Sequence, residues 1–198
     1  MKNRELFKTG SKPAPGELIM VQGFINTLDV EGNTDDIGTR QTLKSWLVRH
    51  GLLSATATVS SADLKAALAL RESLRSLLLA NNGGMMSPAS LSHINSLLCQ
   101  YPLAVSFARD GDLSLVPAAQ GMAGALGQIV SRVVKAVNKG TWFRLKACDD
   151  PVCQWAFYDN SKNQSGRWCS MAVCGSRDKA RAYRRRQSGQ RRLPGRRK

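Results

Sequence analysis

The chain has 198 residues, 42% of them hydrophobic and 22% charged, which excludes disorder throughout and allows one good core plus a small appendage. Its formal net charge is +15, and residues 175–198 supply +10 of it through eleven Lys/Arg set against Asp178. A polyanion-binding argument therefore belongs to that segment, although an acidic protein or a membrane surface would feel the same charge.

Met1 to Lys12 is polar and basic without the apolar run of a secretory signal, and no apolar stretch approaches membrane-spanning length. The expectation is a cytoplasmic protein with no membrane partner. Gly10, Pro13, Pro15 and Gly16 mark residues 1–16 as a flexible lead-in. Val21, Phe24, Ile25 and Leu28 recur at helical spacing and predict a helix over 17–29. After a loop from Glu31 to Gly38, Thr42 can cap a short helix carrying Leu43, Trp46 and Leu47 that ends at Gly51. Ser60 with Asp63 opens a long helix buried through Leu64, Leu68, Leu74, Leu77 and Leu78 and stopped at Asn82-Gly83.

Ser87-Pro88 starts another helix, with Leu91, Ile94, Leu97 and Leu98 on one side. Cys99 falls in this pattern and is expected to be a buried core residue. Leu103, Val105 and Phe107 then alternate, Asp110-Gly111 turns the chain, and Leu113 and Leu115 alternate again, which predicts a β-hairpin. Helical spacing returns over 119–138 through Met122, Leu126, Ile129, Val133 and Val137, and Gly121, Gly124 and Gly127 within it point to close packing. Residues 17–140 thus read as one mainly α domain with a small β-hairpin. They contain no phosphate loop, nucleophile elbow or paired-carboxylate motif, and His50 and His93 read as surface or helix-end residues, so no enzyme is expected.

Beyond Gly140, Cys148 and Cys153 form one pair and Cys169 and Cys174 another, each with four intervening residues and with fifteen between the pairs. Two short-spaced pairs joined by a loop can supply the four thiolates of a tetrahedral Zn²⁺ site. Disulfides are the alternative, and a reducing cytosol favours metal. Trp155 and Phe157 alternate like a strand, Asn160 to Gly166 reads as a polar turn, and Arg167-Trp168 leads back to Cys169. The expected form is a β-hairpin with a cysteine pair at each open end. Four thiolates leave no open coordination position, so the zinc is expected to be structural, and the His-x-Glu of zinc deaminases is missing.

The segments Cys148-Asp-Asp-Pro-Val-Cys153-Gln-Trp-Ala-Phe-Tyr-Asp159 and Arg167-Trp-Cys-Ser-Met-Ala-Val-Cys-Gly-Ser-Arg177 closely resemble the CGNR zinc finger, named for its last cysteine and the three residues after it. Upstream, Phe24-Ile-Asn-Thr27 and Ala69-Leu-Arg-Glu-Ser-Leu74 resemble the family's usual partner, the ABATE domain of stress-induced bacterial transcription regulators. Together they span roughly residues 20–187. The Asn of the signature is Ser176 here, which can serve as the N-cap of a helix starting at Arg177, with Asp178 suited to its first turn.

The expected organisation is a lead-in (1–16), an α-rich ABATE-like domain that senses or dimerises (17–140), a four-cysteine zinc-binding β-hairpin followed by a basic helix (145–187), and a basic tail (188–198). One zinc per chain would be held by Cys148, Cys153, Cys169 and Cys174. Arg177, Arg181 and Arg184 follow helical spacing, and with Lys179, Arg185 and Arg186 they are the candidate DNA contacts. Asn26 and Arg71 are candidate contacts for a small-molecule effector, weighed against Asn26 bonding backbone and Arg71 lying exposed. The resemblance implies a DNA-binding stress-response regulator, with a homodimer admitted. The alternative is a zinc-stabilised module that docks an acidic protein.

Overall fold

A computed structural model describes residues 12–190 except 108, 110 and 112. The helices are α1 (Leu18–Ile25), α2 (Arg40–Arg49), α3 (Ser61–Asn81), α4 (Pro88–Leu98), α5 (Gly121–Asn138) and α6 (Ser176–Gln190). Antiparallel strand pairs are β1 (Leu28–Asp29) with β2 (Thr34–Asp35), β3 (Leu103–Phe107) with β4 (Leu113–Pro117), and β5 (Leu145–Ala147) with β6 (Ala156–Tyr158). This is the expected helical N-terminal region with its small hairpin, followed by a cysteine-bearing hairpin and a basic helix; the β1–β2 pair is additional, formed where a loop and the end of a longer first helix were expected. No helix among the described residues is long and apolar enough to cross a membrane.

α1 is apolar on nearly every side because it is the central element: Val21, Phe24 and Ile25 are fully buried between α3, α5 and β6. Side-chain caps fix the helix starts. Ser60 and Asp63 form a reciprocal capping box on α3, and Ser87 caps α4 ahead of Pro88. The cap of α2 is Thr39 rather than Thr42; the two threonines form the box together, and Thr42 is its third helical residue. Two of the three α5 glycines serve close packing; Gly121 faces open space and instead takes a left-handed backbone conformation (φ 63°) at the helix start. A methyl group at Gly124 would lie 2.4 Å from the Ala119 carbonyl oxygen, and one at Gly127 would lie 3.1 Å from Pro117 Cβ.

One expectation about burial is corrected. Cys99 is exposed: it stands at the C-cap of α4, on the side away from Leu97 and Tyr101, which carry the buried face there. The described part of the lead-in is held against the body, since its polar groups have fixed partners. The fully buried Gln22 amide accepts from Ala14 N–H at 2.7 Å and donates to the Lys12 carbonyl at 3.0 Å, and Ala14 itself is buried.

The core also crosses the expected break near Gly140. Leu145, Ala147, Ala156 and Tyr158 belong to the same buried cluster as Phe24, Leu74 and Ile129. Polar side chains sew the seam as well. Asn81 donates to the Trp142 and Leu145 carbonyls, Asn82 to those of Ala147 and Arg167, and Arg75 to that of Gln154.

Candidate metal centre and nucleic-acid interface

The expected hairpin is present, but its strands are shifted. β6 pairs with β5, which precedes Cys148, so Cys148 and Cys153 occupy the turn of the hairpin rather than its open end. The turn is built on Asp150, whose carbonyl accepts from Cys153 N–H at 2.9 Å and Gln154 N–H at 3.1 Å, while Cys148 N–H bonds to the Trp155 carbonyl at 2.9 Å. The second pair arrives on irregular chain. The loop before it is ordered around Asp159, which accepts from Ser161 and Gly166 N–H groups and pairs with buried Lys146 at 2.9 Å. Asp149 N–H then bonds to the Arg167 carbonyl at 3.0 Å and brings Cys169 alongside Cys148.

All four sulfurs lie within 4.8 Å of one another and are buried. Cys153 and Cys169 are 3.6 Å apart and Cys169 and Cys174 are 3.7 Å apart. A tetrahedron of zinc–sulfur bonds of about 2.3 Å has edges of about 3.8 Å, so the spacing fits one Zn²⁺ and is far too long for disulfides. The electrostatics agree. The Cys148 thiol is pulled well below its ordinary value, first by Cys153 and then by Cys169 donating to it, while Cys153 and Cys169 are pushed up, each first by Cys148. Alone, the cluster holds a shared negative charge; four thiolates require a divalent cation among them. Trp155, Phe157 and Trp168 close the site off from water. This is a structural zinc centre for one ion, and Cys99 lies outside it.

The helix after the centre begins differently from expectation. Ser170, in extended conformation, caps a single wide turn over Met171–Gly175, with Gly175 N–H bonded to the Ser170 carbonyl at 3.1 Å. Ser176 is already helical (φ −67°, ψ −39°), so it is not the N-cap; its hydroxyl donates back to the Met171 carbonyl at 3.3 Å.

The arginine stripe on α6 divides. Arg177 donates to Glu31 at 2.8 and 3.2 Å and to the Cys174 sulfur at 3.2 Å. Its Nε also lies 3.0 Å from Asp150 Oδ2, an ion contact without the alignment of a hydrogen bond. Arg181 donates to Asp150 Oδ1 at 3.0 Å. The Asp150 carboxylate is wholly buried, and both guanidinium groups are turned onto it. By contrast Lys179, Arg184, Arg185 and Arg186 are exposed, as is Tyr183. Lys179 and Arg186, seven positions apart, share the face opposite Arg177. The basic tail 191–198 lies outside the described residues.

Asn26 and Arg71 are both buried and engaged within the fold. Asn26 accepts from Ala156 N–H at 2.8 Å and donates to the Ala156 carbonyl at 2.9 Å, in the manner of a neighbouring strand. Arg71 makes a two-pronged ion pair with Asp35 at 2.7 and 2.9 Å and a further one with Glu72. Far from lying exposed, it pins the β1–β2 turn to α3, and its neighbour Arg75 donates to the Ile25 carbonyl at 2.7 Å. Asp150, Glu31, Gln22 and Arg75 carry no signal in the sequence beyond their residue types, because each acts on a segment distant in the chain.

No curated protein matches the chain. Residues 144–187 match the CGNR zinc finger family. Residues 20–138 match the ABATE family, described as "Putative stress-induced transcription regulator". Covering more than half of the sequence, that second match joins the buried four-cysteine centre and its basic helix in one conclusion: the chain belongs to the ABATE family and carries a CGNR zinc finger.

Proposed function

We propose that the protein is a zinc-dependent, DNA-binding transcription regulator of the bacterial cytoplasm. The observation that carries this reading is the setting of Lys179, Arg184, Arg185 and Arg186, exposed on a helix whose base is bonded to the metal loop. Lysine and arginine contacts to phosphate would supply most of the affinity, and an arginine on a rigid helix can reach guanine edges in the major groove. The tail 191–198 would add phosphate contacts. Zinc performs no chemistry here; it holds the hairpin turn and the start of α6 together. The N-terminal domain would sense or dimerise. With Asn26 and Arg71 occupied internally, an effector would have to bind through other residues. Recovery of genomic DNA crosslinked to the protein tests the reading: enrichment of defined promoter fragments supports it, and none above background refutes it.

A second reading is favoured by one observation. Val152, Met171, Val173 and Tyr183 are each more than half exposed around the finger. This apolar fringe beside basic residues would suit an acidic protein partner. Excess nonspecific DNA separates the two readings, since it displaces a DNA-competitive partner only if the same surface binds DNA.

A further inference from the structure

We infer that Asp150 is a positioning residue for the DNA-facing helix: its buried carboxylate holds Arg177 and Arg181 inward, fixing α6 on the metal loop and withdrawing both guanidinium groups from DNA. The DNA half of this inference rests on the function proposed above. The geometry behind it is independent of that function.

Charge explains why two arginines are drawn in. Four thiolates around one Zn²⁺ leave a formal double negative charge in a water-poor site. Asp150, fully buried beside it, adds another. Arg177, touching both the Cys174 sulfur and Asp150, and Arg181, on the other oxygen of Asp150, offset most of this charge. A DNA phosphate cannot draw them out without leaving a buried carboxylate and an anionic metal cluster uncompensated. The position of Asp150 is itself fixed by the metal loop, because its N–H points at the Cys148 sulfur and its carbonyl holds Cys153 and Gln154. The metal loop therefore orients α6 through Asp150 as well as through Cys174 and the bond it accepts from Arg177, and Arg181 is not a base-reading residue despite sharing a stripe with Arg184.

The test uses the zinc-loaded full-length protein and its Asp150→Asn and Arg181→Gln variants, with zinc content, amide hydrogen exchange and DNA binding measured for each. Asp150→Asn should keep one zinc per chain, while amides of 176–186 should exchange at least about tenfold faster. A freed Arg181 should steepen the log–log salt slope by about 0.9, and by up to about 1.8 where Arg177 also leaves Glu31 and Cys174, at about 0.9 per added phosphate contact, and preference among genomic fragments should fall. Arg181→Gln should leave that slope unchanged. A purely structural ion pair would not steepen the slope in Asp150→Asn, and that result overturns the inference. So does zinc loss in that variant, unchanged exchange in α6, or a slope shallower by about 0.9 in Arg181→Gln, the mark of a lost phosphate contact. Should Asp150→Asn fail to fold, Arg181→Gln still decides through its slope. Should the wild type bind no DNA at all, the proposed function falls, and hydrogen exchange alone decides whether Asp150 orients the helix.

Discussion

Replacing Asn26 by alanine separates a residue that builds the fold from one that waits for a ligand. Asn26 is 5% exposed and makes two hydrogen bonds to the backbone of Ala156, at 2.8 and 2.9 Å. The Ala156 carbonyl keeps a second donor, Gln22 Nε2 at 3.0 Å, so its loss is partial. The Ala156 N–H has no such substitute and is left buried and unbonded. An orphaned amide costs about 1–3 kcal/mol and the lost shared bond about 0.5–1.5, which together make a destabilisation of about 1.5–4.5 kcal/mol. Against a typical total of about 5–15 kcal/mol this is large. Urea unfolding followed by circular dichroism should show a lower midpoint with an unchanged slope, since the surface exposed on unfolding is the same. A loss below about 0.5 kcal/mol would refute the reasoning and return Asn26 to the candidates for effector binding.

Cys169→Ser, or chelation, should remove the zinc, unfold residues 159–187, and lower the melting temperature of the rest, because zinc in small modules contributes about 10–16 kcal/mol of folding free energy and β5–β6 is shared with the helical core. A calorimetric scan with the helical transition unmoved would contradict that sharing. A chain ending at Gly140 should be insoluble or non-cooperative, since it lacks Leu145, Ala147, Ala156 and Tyr158 and takes from Gln22 and Asn26 their bonds to Ala156, from Arg75 its bond to Gln154 and from Asn82 its bonds to Ala147 and Arg167; a sharp melt would show that the core does not need them. Burial alone would raise the Asp159 carboxyl, but Lys146, with Ser161 and Gly166, more than reverses this and holds it below its ordinary value. Its contribution is then complete above the unfolded pKa of about 3.9 and disappears as pH falls below that toward the folded value, so Asp159→Asn should flatten the acid limb of the stability profile.

What the sequence revealed follows from the range of each interaction. The Ser60–Asp63 box, the Ser87-Pro88 start and the β3–β4 hairpin are local, and their residues specify them without help from the rest of the chain. The four cysteines were equally plain, because metal chemistry restricts both their type and their spacing. Strand β5 escaped notice because three residues, one of them the buried Lys146, carry no alternation. The inward turn of Arg177 and Arg181 was hidden for a different reason. Helical period places them on one stripe with Arg184, yet the stripe's direction is set by Asp150, which precedes Arg181 by 31 positions. Exposure of Cys99 likewise depends on which side of the α4 C-terminus meets the core, not on its own pattern.

The central claim is that a zinc-held helix presents basic side chains to DNA. It is tested most directly by titrating the zinc-loaded protein with genomic fragments across a salt series, then repeating the titration after chelation. About six to eight neutralised phosphates, from α6 and the tail together, should give a log–log slope of roughly −5 to −7, and chelation should abolish preference between fragments while leaving only weak, tail-driven binding. Zinc-loaded protein with no affinity at low salt, or with the same preference before and after metal removal, would contradict the account.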